Sequence, residues 1–162
     1  MIEEGQRITL KEGRVGLISD THGLLRPEAL AALKGSELII HAGDIGAIEV
    51  LEGLRAITRV FAIRGNNDRA LWAGDLPDAL ALKINGVLCR VIHNVNELQI
   101  ERARAAVVIS GHSHKPAMVR RSGVLFINPG SAGPRRFKLP VTVARLKIAG
   151  GAALAQIVEL KI

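Results

Sequence analysis

Two mixed β-sheets packed as a sandwich and flanked by helices, an α/β fold, are predicted by three features of this sequence. In the first half, apolar runs alternate with helix-like segments; in the second, apolar runs pair around turn dipeptides. The length of 162 residues fits one domain that buries roughly 70% of the surface its unfolded chain exposes. A single domain over residues 1–162 is therefore expected. Residues 1–13 form an N-terminal extension, read either as an edge strand through "RITL" or as a loose arm.

"RVGLIS" reads as a buried strand, and "RPEALAALKG" as a helix with Pro27 in its first turn and Gly35 past its end. "ELIIHAGD" gives a second strand, "IEVLEGLRAIT" a second helix and "VFAIRGNND" a third strand. Helix-length crossovers between oily strands argue for a parallel sheet covered on both faces. The grammar then changes. "ALALKINGVLCRVIH" is two alternating runs around Asn85-Gly86, a strong hairpin signal. "ELQIERARA" predicts a short helix, and "AVVISGHSH" a strand. Hairpins are expected in "AMVRRSGVLFIN", through Ser122-Gly123, and in "LPVTVARLKIAGGAALAQIVELKI", through Gly150-Gly151. There is no internal repeat or low-complexity tract.

Composition sets the class. With 48% hydrophobic and 23% charged residues, the chain is that of an ordinary globular protein. The one cysteine, Cys89, lies in the apolar run "VLCRVI" with no partner for an internal disulfide. The N-terminus lacks a secretory pattern, and no segment approaches the ~20 apolar residues of a membrane span, so a cytoplasmic protein without membrane partners is expected. A net charge of +7 favours phosphate-bearing partners. The basic residues are dispersed and aromatic residues are few, so nucleic acid is not the favoured partner.

"LISDTH", "IIHAGD", "FAIRGNND", "CRVIHN" and "VVISGHSH" each run from an apolar segment into Asp, Asn or His. The carboxyl ends of strands are where α/β proteins build sites. Asp20 and His22 share one parity along an extended chain, as do His112 and His114, so each pair can meet one ion. Carboxylate and neutral imidazole suit Mn, Fe or Zn, and the absence of cysteine argues against a thiolate structural zinc site. Two ions would account for so many donors. Singly, each residue has an ordinary reading: Asp as a cap, Asn as a turn former, His as a core or surface residue. The weight lies in their joint order.

That order, D-x-H, G-D, G-N-x-D, H and G-H-x-H, resembles the signature of the calcineurin-like metallophosphoesterases over residues 14 to 160. Within that superfamily the chain is similar to the compact single-domain phosphodiesterases, a group related to the scaffold subunit of the retromer coat. The resemblance implies the four-layer αββα form of the fold. It also implies that Asp20, His22 and His114 hold one metal and Asn66, His93 and His112 a second, with Asp44 bridging. The implied cofactors are two divalent ions, Mn favoured, with Fe, Zn, Ni or Co as alternatives. The implied reaction is hydrolysis of a small phosphoester, a phosphodiester above all; homo-oligomerisation stays open.

Two further positions are catalytic candidates, Asn67 and Asp68. Superfamily enzymes often carry His after the ligand Asn, and here that place is Asn67. An amide can donate a hydrogen bond to a phosphoryl oxygen but cannot protonate an alkoxide. Asp68 is expected to orient the loop or a water, or to form a turn. Asn94 stands where the family usually has Gly after the second-metal His, and "NPGS", Asn128 to Ser131, matches the family's closing turn. His41 is expected to be a packing residue or a support behind the ligands. Two other functions remain: a non-enzymatic scaffold that binds proteins, and a nuclease.

Overall fold

The computed structural model describes residues 5–99 and 105–162. Among these, five strands form one sheet in the order β11-β10-β2-β3-β4, from Ala152–Glu159, Thr142–Ala149, Arg14–Ile18, Leu38–His41 and Val60–Ala62. Six form the other in the order β1-β5-β6-β7-β9-β8, from Gln6–Ile8, Ala79–Ile84, Val87–Ile92, Val107–Ile109, Val124–Asn128 and Ala117–Arg121. In the first sheet β2, β3 and β4 run parallel; in the second β6, β7 and β9 do. The remaining neighbours are antiparallel except β1, which pairs parallel with β5. "RITL" is thus drawn into an edge strand, with Arg7 opposite Lys83.

Alternation along the strands divides the molecule into layers. Leu38 and Ile40 of β3 face the other sheet, where Leu82, Cys89, Val107 and Ile109 meet them in one buried cluster. Ile39 points the opposite way, into a second cluster with Ile18, Val143 and the helices α1, Pro27–Leu33, and α2, Ile48–Arg55. Each fully buried Leu or Ile contributes about 1.5–3 kcal/mol by leaving water. These two helices therefore cover the five-stranded sheet. The helix predicted in "ELQIERARA" falls mostly outside the described residues; its first residue, Glu97, closes a 3₁₀ turn over Val95–Glu97.

All three predicted hairpins form. Asn85 and Gly86 carry φ of 47° and 83°, the left-handed pair that a two-residue turn of matching twist needs. Asn85 also spends its side chain, accepting from the Leu10 amide at 2.8 Å and donating to the Ile148 carbonyl at 3.0 Å. One turn thereby ties the edge of one sheet to a strand of the other.

Candidate metal centre

The parallel strands deliver their carboxyl ends to one edge of the sandwich, and their ladders continue beyond the strands. The Asp20 amide donates to the Gly43 carbonyl and the His22 amide to the Asp44 carbonyl, both at 3.0 Å; across the other sheet, the Gly111 amide donates to the His93 carbonyl at 3.0 Å. These stitches bring together residues far apart in the chain. His22 Nε2 lies 3.8 Å, and His93 Nε2 3.4 Å, from Asp44 Oδ2. Asp20 Oδ1 lies 3.5 Å from His114 Nε2 and 3.9 Å from His93 Nε2. His22 and His114 bring their Nε2 atoms to 3.3 Å, and His112 Nδ1 sits 3.2 Å from Asn66 Oδ1. All seven residues of the sequence pattern border one centre. Two overlapping groups within it have ligand geometry, Asp20–His22–His114 and Asp20–Asp44–His93.

Five of the seven sit in the left-handed backbone region: Asp20, His22, Asp44, His112 and His114, with φ between 46° and 72°. Such positions cost energy for most residues and cluster at functional sites; Asp, Asn and His tolerate them best. The neighbours then fix each side chain. Asp20 Oδ2 accepts from Ser19 Oγ at 2.8 Å and from the His112 amide at 3.1 Å, which leaves Oδ1 turned to the imidazoles. His93 donates Nδ1–H to the Ala42 carbonyl at 2.7 Å, which turns its Nε2 toward the Asp44 and Asp20 carboxylates. Asp44 accepts from both the backbone and the side-chain amide of Asn67, at 3.0 and 3.2 Å.

The electrostatics describe a cage short of positive charge. Asp20 has its pKa raised, because burial penalises its charged form more than Ser19 and the other partners favour it. Burial would also raise Asp44, but the His93 imidazole and the Asn67 amide outweigh it and hold that carboxyl at about 2. His114 is pushed down to about 4 by burial and by the Arg136 guanidinium, which keeps it neutral and able to ligate. His93 moves up: the Asp44 carboxylate outweighs burial. Three buried atoms have no hydrogen-bond partner, namely Asp20 Oδ1, His93 Nε2 and His114 Nδ1. Buried polar atoms without a partner are costly, and Asp20 Oδ1 and His93 Nε2 both face the centre, where a cation could join them. The donor set of carboxylate, amide oxygen and imidazole fits divalent metal ions of the Mn–Zn range.

Behind the cage lies a layer of supports. Asp68 is buried with both oxygens engaged, by the Ile45, Gly46 and Gly65 amides at 2.9–3.1 Å, so it joins the Asp44 loop to the Asn66 loop. His41, an expected support, accepts the Gly43 amide on Nδ1 at 3.1 Å, so its Nε2 carries the proton toward Thr21 Oγ1 at 2.9 Å. Thr21 in turn donates to the Ile45 carbonyl, and burial pushes the His41 pKa down to about 3. In the "NPGS" turn, Asn128 Nδ2 donates to the Gly111 carbonyl at 2.9 Å, and Ser131 Oγ to the Asp20 carbonyl at 3.0 Å.

Sequence reasoning missed the hydroxyls of Ser19 and Thr21, which flank Asp20 and are both buried. The glycines of the sequence pattern, Gly43, Gly65 and Gly111, immediately precede Asp44, Asn66 and His112, and the close packing of the centre explains two of them. A Cβ on Gly65 would run into the Asp44 carboxylate, and one on Gly111 would lie 2.7 Å from Asp20 Oδ2. Beside His93, His112 and Asn66 opens a cleft of about 320 Å³, further lined by Arg64, Asn94 and Glu97. Arg64 is held at its mouth by Asp78, Nε to Oδ1 at 3.0 Å.

Residues 14–151 match the calcineurin-like phosphoesterase superfamily domain. A probable metallophosphoesterase of Methanothermobacter thermautotrophicus is 32% identical over 160 residues, which cover 90% of this chain and 91% of that protein. Among solved structures, an archaeal phosphodiesterase superposes with a TM-score of 0.74 at 25% identity, over 90% of this chain and 99% of that one. Vps29 of Chaetomium thermophilum superposes with the same score at 16% identity, over 91% and 96%. The last is a likeness of fold.

Proposed function

Because the chain belongs to the calcineurin-like phosphoesterase superfamily, we propose that it is a two-metal phosphodiesterase acting on a small phosphoester. The observation that carries this reading is the pair of buried, unpartnered polar atoms, Asp20 Oδ1 and His93 Nε2, converging with Asp44 and the other imidazoles. In this reading Asp20, His22 and His114 would hold one ion and Asn66, His93 and His112 the other, with Asp44 shared between the two sets. When bound, the ions supply a water of lowered pKa and neutralise charge on the phosphoryl oxygens. The oxygen and nitrogen donors favour Mn, with Fe, Zn, Ni and Co as alternatives.

The protein's own groups set the rest. The cleft beside His112 receives the ester group, and Arg64 at its mouth offers a guanidinium to a phosphoryl oxygen. Asn67 reaches Asp44 through its side-chain amide and can re-aim that donor at a phosphate. With an amide in that place no proton reaches the leaving oxygen from this side chain, so diesters with good leaving groups are preferred. Asp68, with both oxygens taken by backbone amides, is a positioning residue. Among the described residues no helix is long and apolar enough to cross a membrane. The buried, unpaired Cys89 accords with a cytoplasmic location.

Asp44→Ala in the manganese-loaded protein is the direct test, with release of nitrophenolate from bis(4-nitrophenyl) phosphate as the readout. Hydrolysis falls to background in the variant. Full activity of the wild type without metal would refute the reading. Two bound ions with no turnover on any phosphoester would favour instead a scaffold role, as the Vps29-like fold suggests.

A further inference from the structure

We propose that the loop from Pro134 to Leu139, "PRRFKL", is a nucleotide-binding arm of this site, with Phe137 stacking on the base of a nucleotide-bearing phosphodiester and Arg136 pairing with its phosphate. The inference rests on the phosphodiesterase reading and names the substrate class.

Phe137 is 88% exposed, unlike the other aromatic residues. Phe61 lies under the Arg59 guanidinium at 4.7 Å, Phe126 is paired with Arg121 at 5.9 Å, and Trp72 packs against the helix core. Phe137 also holds a φ of 54°, an unfavourable backbone for a bulky side chain. The loop is nevertheless braced. Pro134 and Pro140 restrict its ends, the Leu139 amide donates to the Arg136 carbonyl at 3.1 Å, and Arg26 clamps the Gly133 carbonyl at 3.2–3.3 Å. A loop backbone braced in advance loses little entropy when its aromatic residue meets a flat ligand.

Its place and charge select that ligand. Gly133, where the loop begins, approaches the Asp20 and Thr21 backbone so closely that a Cβ would lie 2.7 Å from the Asp20 carbonyl oxygen. The arm thus springs from the wall of the metal centre. Arg135, Arg136 and Lys138 are all exposed around Phe137, and no Asp or Glu occurs between Ala105 and Val158. A π-face among cations that no neighbouring carboxylate in that stretch neutralises suits a base joined to a phosphate. One aromatic serves one base, which favours a short nucleotidyl ester over a long strand.

The test compares two diesters with the same leaving group, thymidine 5′-(4-nitrophenyl phosphate) and methyl 4-nitrophenyl phosphate, on the manganese-loaded protein. Phe137→Ala lowers the ratio of kcat/KM for the nucleotidyl ester to that for the methyl ester about tenfold, mainly through KM, and Phe137→Trp restores it. A ratio indifferent to Phe137→Ala, with both esters hydrolysed, overturns the arm and leaves the phosphodiesterase reading intact. Thymidine monophosphate binding, followed by calorimetry, reads the arm without turnover: its Kd weakens about tenfold in Phe137→Ala. If the wild type hydrolyses neither ester yet binds the nucleotide through Phe137, the arm stands and the enzyme reading falls. Faster cleavage of oligothymidylate than of the nucleotidyl ester, falling steeply with salt, would overturn the small-substrate proposal in favour of a nucleic-acid strand.

Discussion

The floor and the rim of the proposed metal cage are built differently. Asp20, Asp44, His93 and His114 are buried, and each has its orientation set by burial or by backbone and hydroxyl partners. Asn66 and His112 are exposed, and His22 is half-buried; the side chains of Asn66 and His112 are joined to each other by one 3.2 Å contact. The floor is organised by the fold before any ion arrives, whereas the rim can adjust to what binds. Affinity and exchange should therefore divide between them, with the ion on Asp20, His22 and His114 held longer than the one on Asn66, His93 and His112.

The widest separation is expected between two single substitutions. His114→Ala, which removes a floor ligand, should leave no tightly held ion after gel filtration and no hydrolysis; His112→Ala should keep one ion per chain while hydrolysis drops to near background. Metal analysis of both variants decides it, and equal loss of both ions from each would erase the distinction. A smaller effect comes from Asp68→Asn. The amide keeps an acceptor oxygen but gives up the second one, loosening the Asp44 and Asn66 loops together. Metal affinity or activity should fall about 10–100-fold, as for other groups that orient ligands, with titrated metal binding as the readout.

The least change is a gain in stability. Asp20 has a folded-state pKa above its ordinary 3.8, so the metal-free folded chain binds that proton more tightly than the unfolded chain does. Stability of the metal-free protein therefore declines as pH rises from 3.8 through the folded value, and the full penalty is present above it. Asp20→Asn should raise the metal-free Tm by a few degrees at pH 7 and give no such gain below pH 3.8. With metal present the order reverses, because the wild type alone gains the full binding energy. Thermal melts with and without chelator would expose a failure in either direction.

Much of this was legible in the chain. Apolar runs ending in Asp, Asn or His marked the strand tips, because a parallel sheet forces its chemistry to the carboxyl ends; Asn85-Gly86, Ser122-Gly123 and Gly150-Gly151 marked the hairpins by local backbone preference alone. The supporting layer was not. Asp68 looks like a turn residue until the Ile45 and Gly46 amides, more than twenty positions away, are seen to meet it, and Ser131 gives no hint that it grips the Asp20 carbonyl. The parallel attachment of β1 to β5 depends on an available sheet edge that no local pattern announces. Phe137 is likewise silent in sequence, since one phenylalanine in a short basic stretch is as apt to be buried as displayed.

The left-handed backbone at Asp20, His22, Asp44, His112 and His114 also limits how this centre can be altered, by selection or by design. Replacements that would make chemical sense, such as glutamate for a carboxylate or a β-branched residue for an inert wall, meet a torsional penalty before their side chains matter. Asparagine and glycine are the inexpensive exits. A descendant that abandons metal should accumulate those two, and a redesign toward another ion would do better to change the supporting hydroxyls and amides than the five positions themselves.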